Sequence, residues 1–169
     1  MITPAYARTM ARYNRWQNAQ VLAACDTLAP EALSEDRGAF FGSILGTLSH
    51  LMWGDAIWMS RFDDWDKPHV ALKDSASFIP DWATLRRLRP EDDGRIIAWA
   101  DALPEDGLAG DLTWYSGAAG REVSKPLALC VMHFFNHQTH HRGQVHAMLT
   151  AAGARPGDTD LFLMPESET

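Results

Sequence analysis

Between about Phe41 and Phe62 the sequence reads FGSILGTLSHLMWGDAIWMSRF, which is apolar almost all the way round a helical wheel. A helix of this kind must be covered on most of its surface, so other helices have to pack around it. Breakers elsewhere divide the chain into segments that can do so. Pro4 stands near the start of a pattern in which Tyr6, Met10, Tyr13, Gln17, Val21, Ala24 and Leu28 recur at three- and four-residue spacing, and Ala29-Pro30 ends it. A polar stretch, Pro30 to Gly38, precedes the apolar helix, and a long loop, Asp63 to Pro80, follows it. That loop carries the acid run Asp63, Asp64, Asp66 and is long enough to contribute to a pocket. Asp81 is the predicted N-cap of a third helix to Leu103, with Leu85, Leu88, Ile96, Trp99 and Leu103 inward and a kink or break at Pro90. The stretch DLTWYSGAAGREVS, 111–124, reads as two short strands around a Gly-rich turn. Pro126 then opens a last helix that runs to about Ala152 and is stopped by Gly153 and Pro156. The expected fold is all-α, a four-helix bundle with a small β-hairpin before the last helix, in one domain spanning residues 1–169.

Composition narrows the partners. With 22 acidic against 15 basic residues the formal net charge is -7, and no Lys/Arg run supplies the clustered cations that nucleic acid or an anionic membrane surface requires. No apolar stretch has the length of a signal peptide or of a membrane span of about eighteen residues, so a soluble, cytoplasmic protein is expected. In a reducing compartment Cys25 and Cys130, inside helical patterns and far apart, read as buried free thiols.

Five of the seven histidines (133, 137, 140, 141, 146) fall within fourteen residues. At about 100° per residue, His137 and His141 lie in the stripe formed by Leu127, Cys130, Phe134, Val145, Met148 and Ala152. His133 and His140 flank that stripe, and His146 is on the opposite side. Two neutral imidazoles on a core-facing stripe need partners for their ring nitrogens, and either a metal ion or a set of hydrogen bonds can supply them. His50 lies in the buried second helix between Gly46 and Gly54, which leave space for a close helix contact or for an ion and a ligand. Together the three suggest a site with His50, His137 and His141 as ligands and at least one coordination position open, which is the pattern of catalytic zinc sites. Nickel, iron, copper and manganese also accept such a shell. Tyr13, Gln17, Trp53, His133, His140 and Gln144 are the expected pocket and supporting residues, with Tyr13 and Gln17 equally able to close a hydrogen-bond network. Arg142 points away from the site, toward an ion pair or a carbonyl, and His69 is read as a surface residue.

The segments YNRWQNAQVL (13–22), GSILGTLSHLMWGDAIWMSRF (42–62) and HFFNHQTHHRGQVHAML (133–149), with the tail GARPGDTDLFL, resemble the DinB family over essentially the whole chain. The resemblance implies an up-down-down-up bundle, a metal held by His50, His137 and His141, and homodimers formed through helix faces. It also implies thiol-dependent chemistry on a small electrophile. The expectation is therefore one divalent ion per chain, zinc or nickel first and iron or manganese next, with a low-molecular-weight thiol as cosubstrate. A hydrolase or isomerase, a non-catalytic metal-stabilised bundle, and a metal-free bundle with hydrogen-bonded core histidines are the alternatives.

Overall fold

Four long helices and one hairpin dominate the computed structural model, which describes residues 1–168. They are α1 (Pro4–Cys25), α3 (Ile44–Phe62), α4 (Trp82–Ala102) and α5 (Leu127–Ala151), with a short α2 (Pro30–Ser34) between the first two. The hairpin, β1 (Asp111–Ser116) and β2 (Arg121–Pro126), is antiparallel with Trp114 opposite Val123. The chain is thus mostly helical with a small two-stranded sheet. No helix among the described residues is long and apolar enough to cross a membrane.

The termini of these elements follow local chemistry. Thr3, Ser43 and Asp81 cap α1, α3 and α4 by accepting hydrogen bonds from Tyr6, Gly46 and Thr84 backbone N–H groups. Helix α3 starts at Ile44 and not at Phe41, because Gly42 has a φ of 74° and turns the chain before the Ser43 cap. Helix α1 stops at Cys25, three residues before the expected Leu28. The stretch expected to be irregular after Pro30 instead forms α2, where Pro30 occupies the first turn and Leu33 is driven into the core. Helix α4 continues through Pro90; Arg89, just before it, is ion-paired to Asp55 of α3 and to Asp93 one turn on, which ties this part of α4 down.

The core is divided. One apolar cluster joins Val21, Leu22 and Cys25 of α1 with Leu33, Ile44, Leu48, Leu85, Val145 and Leu149. The other joins Ala7 and Ala11 of α1 with Met59, Ile96, Trp99, Val131, Phe134 and Phe135. On every long helix a buried polar residue falls between the two: Asn14 and Asn18 on α1, Asp55 on α3, Arg89 and Asp93 on α4, Gln138 and Arg142 on α5. Arg89 and Gln138 both donate to the Asp55 carboxylate, Asn18 donates to Asp93 at 2.8 Å, and Arg142 donates to Gln138 Oε1 at 3.1 Å. Burial pushes the Asp55 carboxyl up to about 6 even with the Arg89 guanidinium against it.

Candidate metal centre

His50 sits two turns into α3, and His137 and His141 are one turn apart on α5, so the facing helices bring all three rings together. One ring nitrogen from each lies within 4.8 Å of the others. His50 Nε2 and His137 Nε2 are 3.0 Å apart. Phe41 stacks on the His50 ring at 3.8 Å between centroids, and Trp53 lies nearly parallel to it at 6.1 Å. The glycines expected to leave room here serve close approach: a Cβ on Gly54 would lie 2.8 Å from His137 Cε1, and one on Gly46 would run into the Phe41 carbonyl oxygen.

Hydrogen bonds set the outer nitrogens. His50 Nδ1 is 2.8 Å from the Ser75 hydroxyl, and His141 Nδ1 is 2.8 Å from Gln144 Oε1. Gln144 Oε1 can only accept, so His141 Nδ1 carries the hydrogen and its Nε2 keeps a lone pair toward the centre, whereas the Ser75 hydroxyl can donate to or accept from His50 Nδ1. Across the 3.0 Å gap one of the two Nε2 atoms of His50 and His137 donates to the other. No hydrogen bond among the described residues is made by His137 Nδ1. Desolvation by burial, with the neighbouring histidines second, lowers His50 to about 4 and His137 to about 3; burial lowers His141 as well. All three are therefore neutral near pH 7, the form in which imidazole binds a metal. Three neutral nitrogens and no carboxylate suit zinc, nickel, iron or copper better than magnesium or calcium, which take oxygen ligands.

The remaining expected residues divide into two groups. Gln144 holds His141 and reaches His140 Nε2 at 3.3 Å, so it orients a ring of the trio. Trp53 donates its indole N–H to the Val70 carbonyl and thereby ties the 63–80 loop to α3. His133 packs on Trp58 at 5.1 Å and stands 5.9 Å from the His137 ring, outside the cluster of three. Tyr13 and Gln17 are elsewhere: their hydrogen bonds run to the tail carbonyls of Thr159 and Asp158, at 2.6 and 2.9 Å. Arg142 does point away from the trio, but into the protein, where it lies under the Tyr13 ring and donates to Gln138. The wheel therefore described one buried side of α5 and missed a second, formed by Val131, Phe135, Gln138, Arg142 and Leu149. His69 is exposed against Phe78, and His146 is half-buried near the Gly157 carbonyl. Cys25 and Cys130 are buried free thiols.

Ser75 is the supporting residue that sequence reasoning missed. It lies in a 3-10 turn, Leu72–Ser77, inside the long loop, fully buried and with its carbonyl accepting from Ser49 Oγ at 3.1 Å. The length of that loop was the only hint of it. Searches of curated proteins and of solved structures return no match. The model of the DinB family matches residues 1–169, the whole length, and the chain belongs to the DinB family.

Proposed function

We propose that this protein is a metal-dependent enzyme in which His50, His137 and His141 hold one divalent ion, zinc or nickel in the first instance, and a thiol or water is activated there against a small electrophile. The observation that carries this reading is the convergence of three neutral imidazole nitrogens within 4.8 Å, two of them with their opposite nitrogens held by Ser75 and Gln144. A divalent ion bound by three protein ligands supplies a lowered pKa to a water or thiol in the remaining position, which gives a nucleophile near neutral pH. The chain's own part is to orient and to exclude. Ser75 and Gln144 hold two rings, the hydrogen shared between His50 and His137 Nε2 would leave on metal binding, and Phe41 and Trp53 stack on His50 and shield it from water. A low-molecular-weight thiol is the proposed cosubstrate.

The arrangement that presents the site is read as an up-down-down-up four-helix bundle. The end of α1 shares its apolar cluster with the starts of α3 and α4 and the end of α5, which supports α1 and α5 running one way and α3 and α4 the other. A cytoplasmic homodimer is the proposed working form. His133 and His140 lie outside the cluster of three, which favours an enzyme with an open position over a metal that only stitches α3 to α5.

Protein purified without an affinity metal column should contain about one metal ion per chain. His137→Ala and His141→Ala should each abolish metal retention together with any thiol-transfer turnover. Turnover that survives in metal-free His137→Ala would overturn the proposal.

A further inference from the structure

Beside the histidines, two adjoining cavities share Trp114 as a common wall. The first, about 380 Å³, lies between α3, the hairpin and α5, and its walls include Trp58, Trp114, Leu129 and His133. The second, about 520 Å³, lies on the other side of Trp114 and is lined by Arg61, Lys67 and Tyr115 among others. Trp58 and Trp114 meet edge-on at 5.6 Å. The Arg61 guanidinium sits over both rings, at 4.5 and 5.4 Å, and spans the seam between the cavities. His133, in the wall of the first cavity, is one helical turn before His137 with the rings 5.9 Å apart, so this space lies next to the proposed metal centre.

The chemistry of the two walls differs. The first is almost wholly apolar, with Leu129, 41% exposed on α5, extending that surface to its rim. The second presents cations. In a chain of net charge -7, Arg61, Lys67 and Lys125, which lines the first cavity, form no salt bridge among the described residues. Asp111 lies with Arg61 and Lys125 around the buried Cys130 thiol, which burial pushes up, but it makes no salt bridge with either cation. A partly buried guanidinium spread over two indoles, with its N–H edge unpaired by carboxylate, is a receptor for a planar anion.

We infer that this double cavity is the substrate subsite, and that the substrate class is a carboxylate-bearing small molecule with an aromatic or branched-alkyl body: the body between Trp58, Trp114 and Leu129, the carboxylate on Arg61 with Lys67 or Lys125. That the bound molecule is the substrate rests on the metal-centre proposal; that the cavity selects a carboxylate does not.

Isothermal titration of the full-length protein, zinc-loaded and zinc-free, with 4-phenylbutyrate and the uncharged 4-phenylbutyramide as probes tests this. The acid should bind at least about tenfold more tightly than the amide, because a charge-assisted pair replaces a neutral one. Arg61→Gln should bring the two within about twofold, with Arg61→Lys between, and Leu129→Asn should weaken both probes alike. Acid selectivity in His137→Ala protein that retains no zinc supports the subsite even if the metal proposal fails. Equal binding of acid and amide, no binding of either, or selectivity unchanged in Arg61→Gln would each overturn the inference, and would do so without touching the metal proposal if zinc is still held at one per chain.

Discussion

His50 and His137 are kept neutral far below the ordinary imidazole range, at about 4 and about 3, chiefly because burial penalises the charged ring. The unfolded chain takes up those protons below about 6.5, whereas the native chain does not. More protons are then bound in the unfolded state, so native stability rises with pH in this window and is lost as the pH falls from about 6.5 toward 4 for His50 and toward 3 for His137. The buried Asp55 carboxyl, raised to about 6, acts in the opposite sense over the same window, so the histidine contribution is read as a difference: between pH 7.5 and 4 the urea midpoint of metal-free wild type should fall relative to that of His50→Gln. A wild-type profile parallel to that of His50→Gln would show that this histidine contributes nothing to acid sensitivity. The three histidines could be picked out in the sequence because helical periodicity places them on apolar faces, which is a one-dimensional signal. Ser75 could not be, since a residue delivered by an irregular loop has no period to betray its direction. Tyr13 and Gln17 were readable as pocket liners or as members of a hydrogen-bond network, and the structure gives them the latter through the tail carbonyls of Thr159 and Asp158, a partner that helical spacing does not reveal.

Between elements, the closeness of α3 to α5 is set by a missing side chain. Gly54→Ala would put a Cβ 2.8 Å from His137 Cε1, so the ring or the helix must give way. A loss of about 1–3 kcal/mol in stability is expected from such overpacking, together with weaker zinc retention. Gly94→Ala on α4 is the matched control. Its Cβ would meet nothing within 4 Å, so helix propensity alone should stabilise that variant by about 0.5–1 kcal/mol. Chemical denaturation of both variants separates contact from propensity; equal effects would deny Gly54 its spacing role. The long helices were legible from spacing and breakers, and two of their ends from the Asp81 cap and the Gly153 stop, whereas the Thr3 and Ser43 caps emerged only in the structure. The errors came where a single residue outweighs a pattern: Gly42, with its positive φ, cut the start of α3, and Leu33 recruited a short polar stretch into the core as α2.

Across the whole molecule, the buried polar layer joins all four long helices, and its charges depend on one another. Asp55→Ala leaves the Arg89 guanidinium buried beside Asp93 alone and strips Gln138 of its acceptor, so a cost of about 3–5 kcal/mol is expected. The double variant Asp55→Leu with Arg89→Met should recover much of it, since two apolar side chains bury without an orphaned charge. Urea unfolding of the single and double variants gives the coupling directly, and additive losses would mean that the pair does not act as a unit. This layer was invisible in the sequence because each helix contributes only one or two of its members. A lone Asp or Arg in a helical pattern reads as a solvated face, and only assembly shows four such positions at one level. Gln138 and Arg142, however, belong to the same two turns of α5 as His137 and His141. Those turns cannot swing out to expose the rings without also breaking the Gln138 hydrogen bond to the buried Asp55 carboxylate in the middle of the core. The backbone amides of residues 138–142 should accordingly exchange their hydrogens only when the entire protein unfolds, so the histidine cluster has no private opening motion of its own.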